Sequence, residues 1–256
     1  MLITPRKAKR SPWLLAGLAF IFVSTGVLVN IAVPLIAGAE IVFAMVPAIP
    51  LIWSLIVREE KEEEERVKLL PQNSLAYHLP IIEVFAFFFL GAMLAYTFWF
   101  SALPYNQSQA IFAAQLQEIK NIGLTAGKVI DIGFAGSLFQ HNLVVLGFML
   151  VFSLIYGIGS IYLLLWNASI IGVFIGSKLQ TGGIGALVTG LVGIFPHGVF
   201  ELGAYFIASI GGGMLSTALM HRHPGKPHFK LILSDIAVLL AVSIAMLAIA
   251  AVLEAT

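Results

Sequence analysis

The chain has 256 residues, of which 59% are hydrophobic and only 11% charged. A soluble domain carries about a quarter charged residues, and a soluble fold of this length cannot hide so much apolar surface, so the composition points to lipid as the main solvent. A net charge of +1 gives no electrostatic reason for a nucleic-acid partner. The absence of cysteine excludes disulfides, thiolate metal sites and a cysteine nucleophile.

Arg6, Lys7, Lys9 and Arg10 precede an apolar run. No small-residue cleavage pattern stands out, and a second apolar run follows almost at once, so the first is read as an uncleaved span over 13–33. A second span is expected over 41–57, with Pro47 and Pro50 inside it; prolines are tolerated where neighbouring helices re-satisfy the backbone. Residues 58–68 hold six glutamates and four basic residues. They predict a solvated continuation of that helix with mixed i,i+4 pairs. A third span covers 79–103, with Glu83 one turn inside, wetted or paired with a basic neighbour. Residues 104–140 are polar, and the loosely helical apolar period over 111–122 predicts a surface-lying helix. Residues 142–177 carry no charge, and a further apolar stretch over 181–216 is interrupted by Pro196, His197 and Glu201. A basic loop with His221, Arg222, His223, Lys226, His228 and Lys230 precedes a last span over 231–253. The runs are continuous and do not alternate at period two, which favours helices over a barrel.

Four of the fourteen Lys and Arg residues precede the first span, four lie between spans two and three, three lie in the loop at 221–230, and Lys178 is one more; only Lys120 and Lys128 fall in 104–140. The positive-inside rule therefore places the amino terminus in the cytoplasm and 104–140 outside. Parity requires an odd number of crossings between 140 and 221. The preferred solution is three, at 142–165, 181–195 and 197–219, with 167–176 buried, re-entrant or on the membrane surface; one long broken crossing is the alternative. The expected fold is an all-α polytopic transmembrane bundle of about seven spans, with broken or re-entrant helices in the glycine-rich region and the carboxyl terminus outside. Its parts are an amino-terminal two-span hairpin (1–57), a charged cytoplasmic linker (58–78) and a main membrane domain (79–256) with the external segment 104–140.

Fourteen glycines fall within 157–213. Gly172 and Gly176 form a small-xxx-small pair, a spacing that lets helices approach closely in lipid; unwound backbone lining a binding site is the other reading. The strongest local signal is Phe195-Pro196-His197-Gly198-Val199-Phe200-Glu201. His197 and Glu201 share a helix face, and ionisable groups in a membrane face a bundle interior or a water-filled cavity. Such a pair can pin a helix, carry a proton or cation, or contribute two ligands to a metal. His141 and Asn142 open the fourth expected span, where Asn142 can cap the helix. Asn167 lies where a helix break is expected; both asparagines can instead bond across helices to His197 or Glu201. His-Glu-x-x-His, Gly-x-Ser-x-Gly, Walker A and dinucleotide-binding motifs are all missing.

Three segments carry a resemblance: Asn142-Leu-Val-Val after Gln140-His141, then Gly157-Ile-Gly-Ser-Ile-Tyr-Leu-Leu-Leu-Trp-Asn167, then Pro196-His197-Gly198-Val-Phe-Glu201-Leu. Together they resemble the stage II sporulation protein M (SpoIIM) family, over roughly 79 to the carboxyl terminus. Spans one and two are additional, and His141-Asn142 stands where an Asn-Asn pair is common in the family. The resemblance implies an integral membrane protein. Its named bacterial members act in spore engulfment as scaffolds for peptidoglycan-degrading partners, and many others have no such context. The leading expectation is a non-enzymatic assembly or scaffold protein in the lipid bilayer, associating with itself or other membrane proteins. The alternatives are a cation or proton channel or transporter using His197 and Glu201, and a metal-dependent membrane hydrolase with its ion on those two residues. No cofactor is implied other than such an ion.

Overall fold

A computed structural model of the chain describes residues 11–33, 39–69, 79–122, 132–156, 160–221 and 227–255. The described residues form eight helices and no strand: α1 (Trp13–Ala32), α2 (Glu40–Leu69), α3 (Leu79–Ala102), α4 (Tyr105–Ile111), α5 (Ala113–Ile122), α6 (Ile132–Tyr156), α7 (Ser160–His221) and α8 (Pro227–Glu254). Five are long and apolar enough to cross a membrane, and Glu40–Leu55 is a shorter apolar helix. α1, α3, α6 and α8 carry no sustained polar face. A helix of about 20 apolar residues spans the roughly 30 Å hydrocarbon layer while bonding all its own backbone groups. The charged run at 58–68 continues α2 as expected, through Pro47 and Pro50, to Leu69.

Hydrocarbon does not drive apolar helices together, so close packing must. α1 and α3 run side by side in the same direction. Trp13 meets Phe87 edge to face at 4.5 Å, and Trp99 Nε1 donates to Ser24 Oγ at 2.9 Å. Gly91 lets the α3 backbone lie against that of Ala16, where any Cβ would strike main-chain atoms. Glu40 at the start of α2 makes an equally close approach to Gly26 of α1. In α3, Phe85, Tyr96 and Phe100 are fully buried.

The long helix α7 breaks at Gly183, with φ 62 and ψ −154, a region open essentially only to glycine. A straight helix would hold Phe174 and Gly190 roughly 24 Å apart. Instead, a Cβ on Gly190 would lie 3.1 Å from the Phe174 ring. The chain therefore reverses at Gly183 into two antiparallel arms, 160–182 and 184–221. The first arm runs parallel to α3: Thr97 Oγ1 donates to the Gly172 carbonyl at 3.1 Å, and Gln180 Nε2 donates to the Phe100 and Leu103 carbonyls at 3.3 and 3.1 Å. The second arm lies between α6 and α8. Gly212 packs on Ser153, and Gly211 packs on Ile236 and Leu239. Gly183→Ala is expected to cost about 1–3 kcal/mol through backbone strain alone. Gly185→Ala, with open space at its Cβ, is expected to be neutral or stabilising; thermal unfolding in detergent compares the two.

The structure redraws the region 132–219. α6 begins at Ile132, not at 142, and ends at Tyr156, so the expected span over 142–165 is replaced and Asn142 is no cap. Residues 167–176 sit inside the first arm and are mostly buried, one of the placements expected for them. The expected boundary at Pro196 does not occur, because the helix runs through it and turns at Gly183. In lipid a continuous helix that loses one bond at proline costs less than a break that exposes several backbone groups. Of the basic loop, 222–226 lie outside the described residues, as do 70–78 of the charged linker and 123–131 of the segment 104–140.

Candidate functional site

The site is built where α6 meets the second arm of α7. Glu201 and Tyr205 are four residues apart and share one helical face. Opposite them, Asn142 lies three turns into α6 and is 7% exposed. Asn142 Nδ2 donates to Glu201 Oε1. Tyr205 OH donates to Asn142 Oδ1 at 3.0 Å. The amide is thus used at both ends, and a Tyr205–Asn142–Glu201 chain ties two helices together. Glu254, in the last turn of α8, lies within electrostatic range of both Glu201 and Tyr205. Three helices therefore converge on this point.

The residues singled out from sequence divide clearly. Asn142 and Glu201 come together directly. His197, one turn before Glu201, is buried at 8% exposure; among the described residues no hydrogen bond or ion pair joins it to Glu201. Asn167 donates to the Leu163 carbonyl of its own helix at 2.8 Å and does not reach the site. His141 is exposed and also lies apart from it. Glu83 is exposed. Tyr205 and Glu254 were missed. The helical spacing from Glu201 could have flagged Tyr205, whereas Glu254 joins only through tertiary packing.

Chemically, the arrangement is a hydrogen-bonded clasp with a carboxylate at its end. Among the described residues no group of three or more His, Cys, Asp or Glu side chains is placed to hold a metal. Two ligands do not complete a coordination shell, so His197 and Glu201 do not suffice for a hydrolytic metal centre.

Comparison with known proteins identifies the family. The model of the family "Stage II sporulation protein M" matches residues 84–256, which include α6, both arms of α7 and α8. An uncharacterized protein of the archaeon Methanocaldococcus jannaschii is 32% identical over 121 residues, covering 46% of this chain and 67% of that protein. No solved structure matches the chain. With the match extending over more than half the sequence and over the whole clasp, the chain belongs to the stage II sporulation protein M family.

Proposed function

We propose that this chain is a non-enzymatic membrane assembly protein whose Asn142–Glu201–Tyr205 clasp fixes the bundle that presents its packing surfaces. The observation that carries this reading is the use of the intramembrane carboxylate: Glu201 accepts from a side chain of the neighbouring helix, which itself accepts from Tyr205. A buried polar chain satisfied in this way fixes helix register.

The topology that fits this reading has seven crossings: α1, the apolar part of α2, α3, α6, the two arms of α7, and α8. The basic segments at 6–10, 58–68 and 222–230 lie on the cytoplasmic side together with the amino terminus; α4, α5 and the carboxyl terminus lie outside, and so, against the positive-inside expectation, does Lys178, near the end of the first arm that Gln180 ties to the end of α3. The surface offered to another copy is the second arm just after the turn. Gly185, Thr189 and Gly193 recur at four-residue spacing there and are exposed. Val188, Val192 and Phe195 flank them, at 53%, 66% and 69% exposure. Small residues flanked by bulky ones let two such helices approach closely.

Gly193→Phe is expected to weaken self-association about tenfold in nanodiscs or detergent, read by mass photometry, with an unchanged unfolding temperature. Proton and cation flux into proteoliposomes is expected to equal that of empty vesicles for the parent chain and for Glu201→Gln. Flux well above that background, abolished in Glu201→Gln, would overturn the assembly reading and establish a channel or transporter.

A further inference from the structure

A second buried polar cluster lies far from the clasp, under the helices α4 and α5. Glu40, at the first residue of α2, is 1% exposed. Its two carboxylate oxygens accept from two amides: Asn30 Nδ2 of α1 donates to Oε2 at 2.9 Å, and Gln115 Nε2 of α5 donates to Oε1 at 2.9 Å. Asn30 and Gln115 are 2% and 1% exposed. Tyr96 of α3, fully buried, lies within electrostatic range of Glu40. Phe112, also fully buried, closes over it edge to face with Tyr96 at 6.2 Å and tilted against Phe100 at 5.6 Å.

Three atoms of this cluster are buried without a hydrogen-bond partner: Asn30 Oδ1, Gln115 Oε1 and the Tyr96 hydroxyl. A buried carboxylate is costly unless neutralised, and among the described residues no lysine, arginine or histidine pairs with Glu40. Each orphaned buried polar atom adds its own desolvation penalty. Two orphaned amide carbonyls beside one buried carboxylate, with an unpartnered buried phenol in electrostatic range, are hard to sustain unless something answers them together. The oxygens on offer are one carboxylate, two amide carbonyls and a phenol, the hard-oxygen set that binds hard cations. The terminal torsions of Asn and Gln are soft, so both amides can turn their carbonyls toward an ion seated on the carboxylate. With a single carboxylate, a monovalent ion restores neutrality, whereas a divalent ion leaves a buried positive charge.

We propose that Glu40, Asn30, Gln115 and Tyr96 form an occluded binding site for a monovalent hard cation of the sodium class, capped by α4 and α5. The site joins the amino-terminal helix pair, which lies outside the family match, to α3 and α5, which lie inside it. Its role is to lock the additional pair onto the family domain. Gly26 serves the same joint, since only a residue without Cβ lets the Glu40 backbone come so close to α1.

The test uses the full chain in detergent or nanodiscs. Saturable binding of radioactive sodium, about one ion per chain, is expected. The unfolding temperature is expected to rise with sodium chloride by on the order of 5 °C over choline chloride at equal ionic strength. Glu40→Gln is expected to abolish both effects. Tyr96→Phe deletes a hydroxyl that has no protein partner, so it is expected to fold normally and to weaken sodium binding about tenfold. This variant keeps the test decisive even if Glu40→Gln folds poorly. Equal stability in sodium and choline, sodium binding that Tyr96→Phe leaves unchanged, or stabilisation by divalent ions alone would each overturn the proposal.

Discussion

Gly172→Leu is expected to lower the unfolding temperature by on the order of 10 °C, corresponding to about 3 kcal/mol or more for a chain of this size. A Cβ on Gly172 would stand 2.6 Å from the Met93 carbonyl oxygen and 2.7 Å from Tyr96 Cβ. Neither is the free end of a flexible side chain, so α3 and the first arm must separate. Separation also breaks the bond from Thr97 Oγ1 to the Gly172 carbonyl and, two turns further on, loosens Gln180 from the carbonyls at the end of α3. Gly176 makes the same kind of contact one turn along, 2.8 Å from Phe100 Cβ, so the strain is not relieved by sliding. Gly203→Ala is the control. Its added methyl meets only the terminal methyl of Met246, which can swing aside, and the expected loss is below about 1 kcal/mol. Thermal unfolding of the two variants in the same detergent checks the contrast. An unchanged midpoint for Gly172→Leu would show that α3 and α7 do not pack at backbone distance.

The same glycines explain what the sequence discloses and what it conceals. α1, α3 and α8 were legible because a lipid-facing span needs only length and apolarity. The Gly172–Gly176 spacing was legible because four residues return to the same helix face. The boundaries between 132 and 219 were not. Proline is the louder punctuation, so a break was expected at Pro196, yet the reversal is at Gly183, one glycine among many whose positive φ leaves no trace in composition. Asn142 looked like a cap because it follows a polar stretch; ten residues of that stretch are already helical, and this moves it into the bundle opposite Glu201. Asn30 and Glu40 drew no notice, since polar residues flanking a turn are unremarkable. Their significance depends on Gln115, which is 75 residues beyond Glu40, and no local pattern encodes a contact of that range.

Asn142→Ala is expected to cost about 2–3 kcal/mol, the second large effect. Interhelical hydrogen bonds between neutral groups in a bilayer average only about 0.6 kcal/mol, because the unfolded chain in lipid finds other partners. Asn142 is worth more for two reasons. Its acceptor is a carboxylate, and bonds to charged groups are worth about 1.5–3 kcal/mol. Its removal also strands the Tyr205 hydroxyl, which is buried and donates to nothing else but Asn142 among the described residues. Glu201→Gln should be mild, below about 1 kcal/mol, because the new side-chain carbonyl still accepts from Asn142 Nδ2. The double variant Asn142→Ala/Glu201→Ala should be less destabilised than the sum of its parts by about 1–2 kcal/mol, the coupling of two residues in one network. Tyr205→Phe should recover part of the Asn142→Ala loss by removing the stranded donor. Strict additivity in that cycle, read from unfolding midpoints of the four chains, would mean that the two side chains do not act as a pair. Glu201 would then be an intramembrane carboxylate without a structural partner, the condition under which a role in moving charge becomes the better reading.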